Sequence, residues 1–186
     1  MKPFVRDGAA FVARLDDFEV ALVSSLVSQV AELIGDAGAP EASEDPFARW
    51  AREFSPAPLD RSDPVVARLF PDAYDDELAA AEHRRYSQDA LRRARIDDSH
   101  LVLSDLDATG DGRFPLVVAD DHVSAWMKTI NGVRLSLSVR LGIESEDDHE
   151  ELLALSARDP RTQLVSLYDW LGYVLESLIE AAGPSA

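Results

Sequence analysis

Between Arg161 and Ala182 apolar side chains recur with a helical period, and they do so on almost every side. Leu164, Leu167, Tyr168, Leu171, Val174, Leu175 and Leu178 line one face, and Val165, Trp170, Tyr173 and Ile179 widen it. A helix apolar over most of its circumference is expected to be central in the fold. Two other segments carry the stripes such packing needs. Phe18, Leu22, Leu26, Val30 and Leu33 predict a helix from Asp16 or Asp17 to Ile34, closed by Gly35. Val123, Trp126, Ile130, Val133, Leu137 and Leu141 predict another from Asp120 or Asp121, closed by Gly142.

The remaining segments are shorter or less regular. A long helix is expected from Asp75 to Arg95, continuing through Leu106 after a bend. Its expected core positions are Leu78, Ala81, Tyr86, Leu91, Ile96, Leu101, Leu103 and Leu106. Pro46–Phe54, with Phe47 and Trp50, predicts a short helix, and Pro64 suits the first turn of another that ends at Pro71. SEDDHEELLAL begins with acids, the favourable sense for the helix dipole. FVRDGAAFVAR (4–14) reads as two strands around Asp7-Gly8, and FPLVV (114–118) as a third short strand. The expected fold class is mainly α. It is a single-domain helical bundle over 1–186 with a small two- or three-stranded β element and a flexible linker near 35–46.

Charge and cysteine content narrow the functions. The chain has 35 acids against 18 bases, a net charge of −17. Such a charge disfavours non-specific binding to nucleic acid or anionic lipid, so neither is expected as a partner. There is no cysteine, which excludes disulfides, thiolate metal sites and cysteine nucleophiles. MKPFVRDGAAF lacks the pattern of a signal peptide, and no apolar run is expected to reach the roughly 18 residues of a membrane span. A cytoplasmic location is the expectation.

The stretch DLDATGDGRF (105–114) resembles half of a calcium loop. Counting from Asp105 puts Leu116 where the bidentate acid belongs, and counting from Asp107 puts Val118 there. Neither register completes the ligand set, so the stretch is read as a turn. The four histidines show no helical metal-site spacing, and neither a nucleophile elbow nor a phosphate-binding glycine loop is present. The expectation is therefore no enzyme, no catalytic or metal residues and no cofactor.

Two clusters remain. Arg84, Arg85, Arg92, Arg93 and Arg95 form the one basic patch, able to meet phosphates or the protein's own acids. In AWMKTINGVRLSL (125–137), Asn131 and Arg134 are three residues apart beside the stripe that contains Trp126. These three are candidates for a partner-binding site or for a structural polar site. Gly132 and Gly172 each weaken a helix interior, and one economical account is that the two helices approach closely at both.

FVARLDDFEVALVSSLVSQV, DPVVARLFPDAYDDELAAAEHRRY, AWMKTINGVRLSLSVRLGI and YDWLGYVLESLIEAA, in that order, resemble an actinobacterial family of uncharacterised cytoplasmic proteins, a domain of unknown function. The resemblance covers nearly the whole chain. It implies a gene position beside the adaptor of the Clp protease, and so another protein, the Clp machinery, as partner. It carries over no catalytic residues. The leading expectation is a protein-interaction or regulatory module linked to regulated proteolysis. A winged-helix-like DNA-binding regulator is the alternative, and a hydrolase ranks last. The wide apolar faces of the first and last helices are also compatible with a homo-oligomer.

Overall fold

A computed structural model describes residues 1–35 and 59–183. Strand β1, Lys2–Asp7, turns back at Gly8 and Ala9 into β2, Ala10–Arg14, one residue later than expected. Gly8 sits at φ +62°, as a two-residue hairpin turn requires. Helix α1 follows, Asp17–Gly35. Its start is a reciprocal cap: Glu19 N donates to Asp16 Oδ1 at 2.8 Å, and Asp16 N donates to Glu19 Oε2 at 2.9 Å. After Gly35 the expected linker lies outside the described residues, as does the expected helix at 46–54.

Helix α2 is Pro64–Leu69, capped by Asp63, whose carboxylate accepts from Val65 N at 2.7 Å. Helix α3, Glu77–Asp107, is one continuous helix where a bend at Arg95 had been expected. Strand β3, Leu116–Ala119, leads through a 3-10 turn, Asp120–His122, into α4, Val123–Leu141. The two aspartates expected to cap α4 are thus inside that turn. Gly142 ends α4 at φ +74°, and Ile143 N donates back to Ser138 O at 2.9 Å. Helices α5, Glu146–Leu153, and α6, Arg161–Ala182, complete the chain.

The sheet is antiparallel, in the order β1-β2-β3. Its inner face, with Phe4, Phe11, Leu116 and Val118, joins the main core with Val20, Val23, Val27, Leu106, Trp126, Ile130, Leu171 and Leu178. A smaller core gathers Ile34, Val65, Val66, Leu69 and Phe70. The fold is therefore mainly α with a small sheet, and α4 packs against α1, α2, α3 and α6.

Three stripes depart from expectation. In α6, Leu164, Tyr173 and Ile179, expected on its apolar faces, are exposed, because the other elements cover only the side of that helix that carries Leu171, Val174 and Leu178. In α1 the buried face is Val20, Val23, Val27 and Ile34, next to the expected one, and Phe18 is 71% exposed. By length and composition α1 is also apolar enough to cross a membrane, which corrects the expectation that no run reaches that length. In α3, Leu78, Ala81, Tyr86 and Leu91 are exposed, and the buried side chains are Ala80, Arg92, Ser99, Val102 and Leu106. The expected residues lie three, five and five apart, a spacing that winds around a helix and does not define one face.

Candidate functional site

The first turns of α1 and the N-terminal half of α6 line an open groove of about 690 Å³. Helix α4 contacts both. Phe18 and Leu22, one turn apart, form one wall, and Leu164, Leu167 and Trp170 form the other. Phe18 and Leu164 are exposed, at 71% and 40%. Among the described residues Asp16 and Glu19 are the charged side chains of the lining, and neither is a base. Glu19 also pairs with the Met1 ammonium. Asp17, beside them, accepts from Phe18 N at 2.9 Å. A wider groove, about 990 Å³, lies between α2 and the end of α4, but none of its lining residues is an exposed large apolar side chain.

The sequence-derived candidates fall into three separate places. Trp126 is buried, packs edge-on against Phe4, and donates from Nε1 to Asp105 Oδ2 at 2.8 Å. His122 Nδ1 lies 3.0 Å from the same oxygen. This carboxylate therefore ties the end of α3 to the start of α4. Arg134 lies elsewhere, its guanidinium 4.5 Å above the Tyr168 ring, with Nε buried and without a hydrogen-bond partner among the described residues. His149 meets the edge of that ring and reaches Asp169 at 2.7 Å. Asn131 is exposed and has no hydrogen bond to Arg134. The two glycines do not face one another. A Cβ on Gly172 would meet Arg134, and one on Gly132 would meet Arg95 and Leu69.

The basic patch is divided by the fold. Arg92 is buried and donates from Nε to Ile34 O at 2.5 Å and from its terminal nitrogen to Gly35 O, the last carbonyls of α1. Arg95 donates to Leu69 O at 3.0 Å, at the end of α2, and lies 5.3 Å from the Phe70 ring. Both place positive charge at a helix C-terminus, where the dipole favours it. Burial lowers the Arg95 pKa, partly countered by Asp98. Arg84 pairs with Asp72, Arg93 turns back to Asp89 O at 3.2 Å, and Arg85 lies over Tyr86.

In DLDATGDGRF, three consecutive residues, Gly110, Asp111 and Gly112, have φ of +57°, +58° and +77°. Thr109 is buried, donates to Leu106 O at 2.6 Å and accepts from Gly112 N at 3.2 Å. The stretch is a tight left-handed turn against the start of α1. The sequence does not mark Asp105, His122, Phe18 or Leu164 as site residues: Asp105 reads only as a calcium ligand, and the two apolar residues read as members of core stripes.

The sequence matches the family described as "Domain of unknown function (DUF2017)" over residues 1–182. Proteins named oxidative stress regulator AosR, from Mycobacterium bovis and Mycobacterium tuberculosis, are each 26% identical to it, over 94% of this chain and 83% of theirs. No solved structure matches the chain.

Proposed function

The chain belongs to the DUF2017 family, and from that membership we propose that it is a regulatory protein that acts by binding another protein, not by catalysis or by reading DNA. The observation that carries this reading is the groove that leaves Phe18 71% exposed beside Leu164. Contiguous exposed apolar surface marks interaction sites. The name of the mycobacterial relatives, oxidative stress regulator, supports a regulatory role. This chain has no thiol to oxidise, so a response to oxidants would reach it through a partner or through its two methionines. The finer proposal is that the partner belongs to the Clp protease machinery and that the work is done in the cytoplasm.

A DNA-binding role is disfavoured by Arg92 and Arg95, which are engaged with helix ends inside the protein. The test is a tagged pull-down from native lysate with the wild type and Phe18→Ser in parallel. Enrichment of Clp adaptor or protease subunits by the wild type supports the finer proposal. Recovery of the bait alone, together with a gel shift at low salt, would overturn the reading in favour of DNA.

A further inference from the structure

Resting on the reading that the groove between α1 and α6 receives a partner protein, we propose that its occupant is a cationic amphipathic helix. Such a helix would carry large apolar side chains on one face and Lys or Arg along its flanks. The walls are two helices, and α4 packs against both. Phe18 and Leu22 on one wall, and Leu164 and Leu167 on the other, are spaced one helical turn apart or nearly so. Anchors at i, i+3 and i+4 of a partner helix interdigitate with residues at that spacing.

Charge selects the flanks. Among the described residues Asp16 and Glu19 line the groove and no basic side chain does. Glu19 pairs with the Met1 ammonium, which leaves Asp16 and its neighbour Asp17 as the carboxylates there without a salt bridge among the described residues. The rest of the molecule reinforces this sign, because its net charge is −17. Many of the bases are already committed: Arg6 to Asp120, Arg61 and Arg84 to Asp72, Lys128 to Asp98, and Arg161 to Asp159. A basic partner is steered toward such a surface and an acidic one repelled. A second copy of this chain is the poorer occupant, since it would bring the same acidic rim and the same net charge against the first.

The test is direct binding of a labelled peptide of about 18 residues, long enough to hold a helix, with Leu on one face and Lys and Arg on its flanks. The full-length protein is compared with Phe18→Ser and Leu164→Ser. Both positions are exposed, so both variants should keep the wild-type melting temperature. The expected result is saturable binding that weakens at least about tenfold in each variant. A control peptide with Glu in place of Lys and Arg should not bind. The proposal is overturned by absent binding, by binding that ignores both substitutions, or by equal binding of the acidic control. Self-association that Phe18→Ser abolishes would also overturn it, by assigning the groove to a second copy. A native partner captured equally well by wild type and Phe18→Ser would sink this inference and leave the partner-binding function standing at another surface.

Discussion

Arg134 lies over Tyr168, its guanidinium carbon 4.5 Å from the ring centre, and Gly172 one turn later leaves the space the guanidinium needs. A Cβ on Gly172 would stand 3.3 Å from an Arg134 terminal nitrogen. Stacking of this kind, half-buried, is worth about 1–2 kcal/mol. Tyr168→Ala should lower unfolding free energy in urea by at least that much, whereas Tyr168→Phe, which keeps the ring face, should cost little. Equal losses in the two variants would refute the stacking account.

Gly132 is a different case. A Cβ there would sit 3.7 Å from Arg95 and Leu69, an ordinary contact distance. Gly132→Ala should therefore raise stability by up to about 1 kcal/mol, the usual helix-interior penalty of glycine. Gly132→Leu should lower it, because the adjoining cavity is only about 20 Å³. A melting temperature that falls for Ala would contradict the geometry.

Asp105 accepts from the indole of buried Trp126 and meets His122. Asp105→Ala strands the indole N–H and should cost about 1–3 kcal/mol. Asp105→Asn keeps an acceptor oxygen and should cost clearly less. Unfolding followed by Trp fluorescence gives both numbers, and Ala and Asn variants of equal stability would refute this role.

The start of α5 should be sensitive to acid. Asp148 is held below the usual carboxylate range by the Ser145 hydroxyl and by the backbone N–H groups of Glu144 and Ser145. A depressed carboxylate stabilises the fold above its unfolded pKa, and that support is lost as pH falls through the folded value. Amide protection over residues 145–153, taken relative to the intrinsic exchange rate at each pH, should fall at the acid end before the core opens. Asp148→Asn should remove that pH dependence.

Gly112 should tolerate nothing else. Its φ is +77°, and an added Cβ would lie 2.8 Å from the carbonyl carbon of Asp16 and 2.9 Å from Asp17 N. Gly112→Ala is expected to cost about 3 kcal/mol or more. Gly8, at φ +62° with nothing within 4 Å, should accept Asn with a small loss. Comparable losses at the two positions would show that the collision is not the cause.

Helix α4 was legible because its apolar residues keep one strict period and the fold buries that face. In α6 the period located the helix and its buried Leu171, Val174 and Leu178 but not the exposure of Leu164, Tyr173 and Ile179. The first half of α3 was not legible, since scattered apolar residues on a charged helix define no face. The roles of Arg92 and Arg95 were hidden for another reason. Each caps a helix far away in the chain, and an arginine reads the same whether it ends in solvent or on a carbonyl. Phe18 was hidden because periodicity reports that α1 is apolar, not which of two adjoining apolar faces turns inward. The groove is the product of that choice.

The fit of Gly112 against the backbone at Leu15, Asp16 and Asp17 also has a consequence in time. A chain emerging from the ribosome presents α1 early, but the turn that abuts its first residues comes only after the whole of α3 has been made. Helix α6, the opposite wall of the groove, comes later still. During synthesis Phe18 and Leu22 therefore wait without their counterpart, and a nascent chain leaves the apolar face of α1 uncovered until α6 has been made.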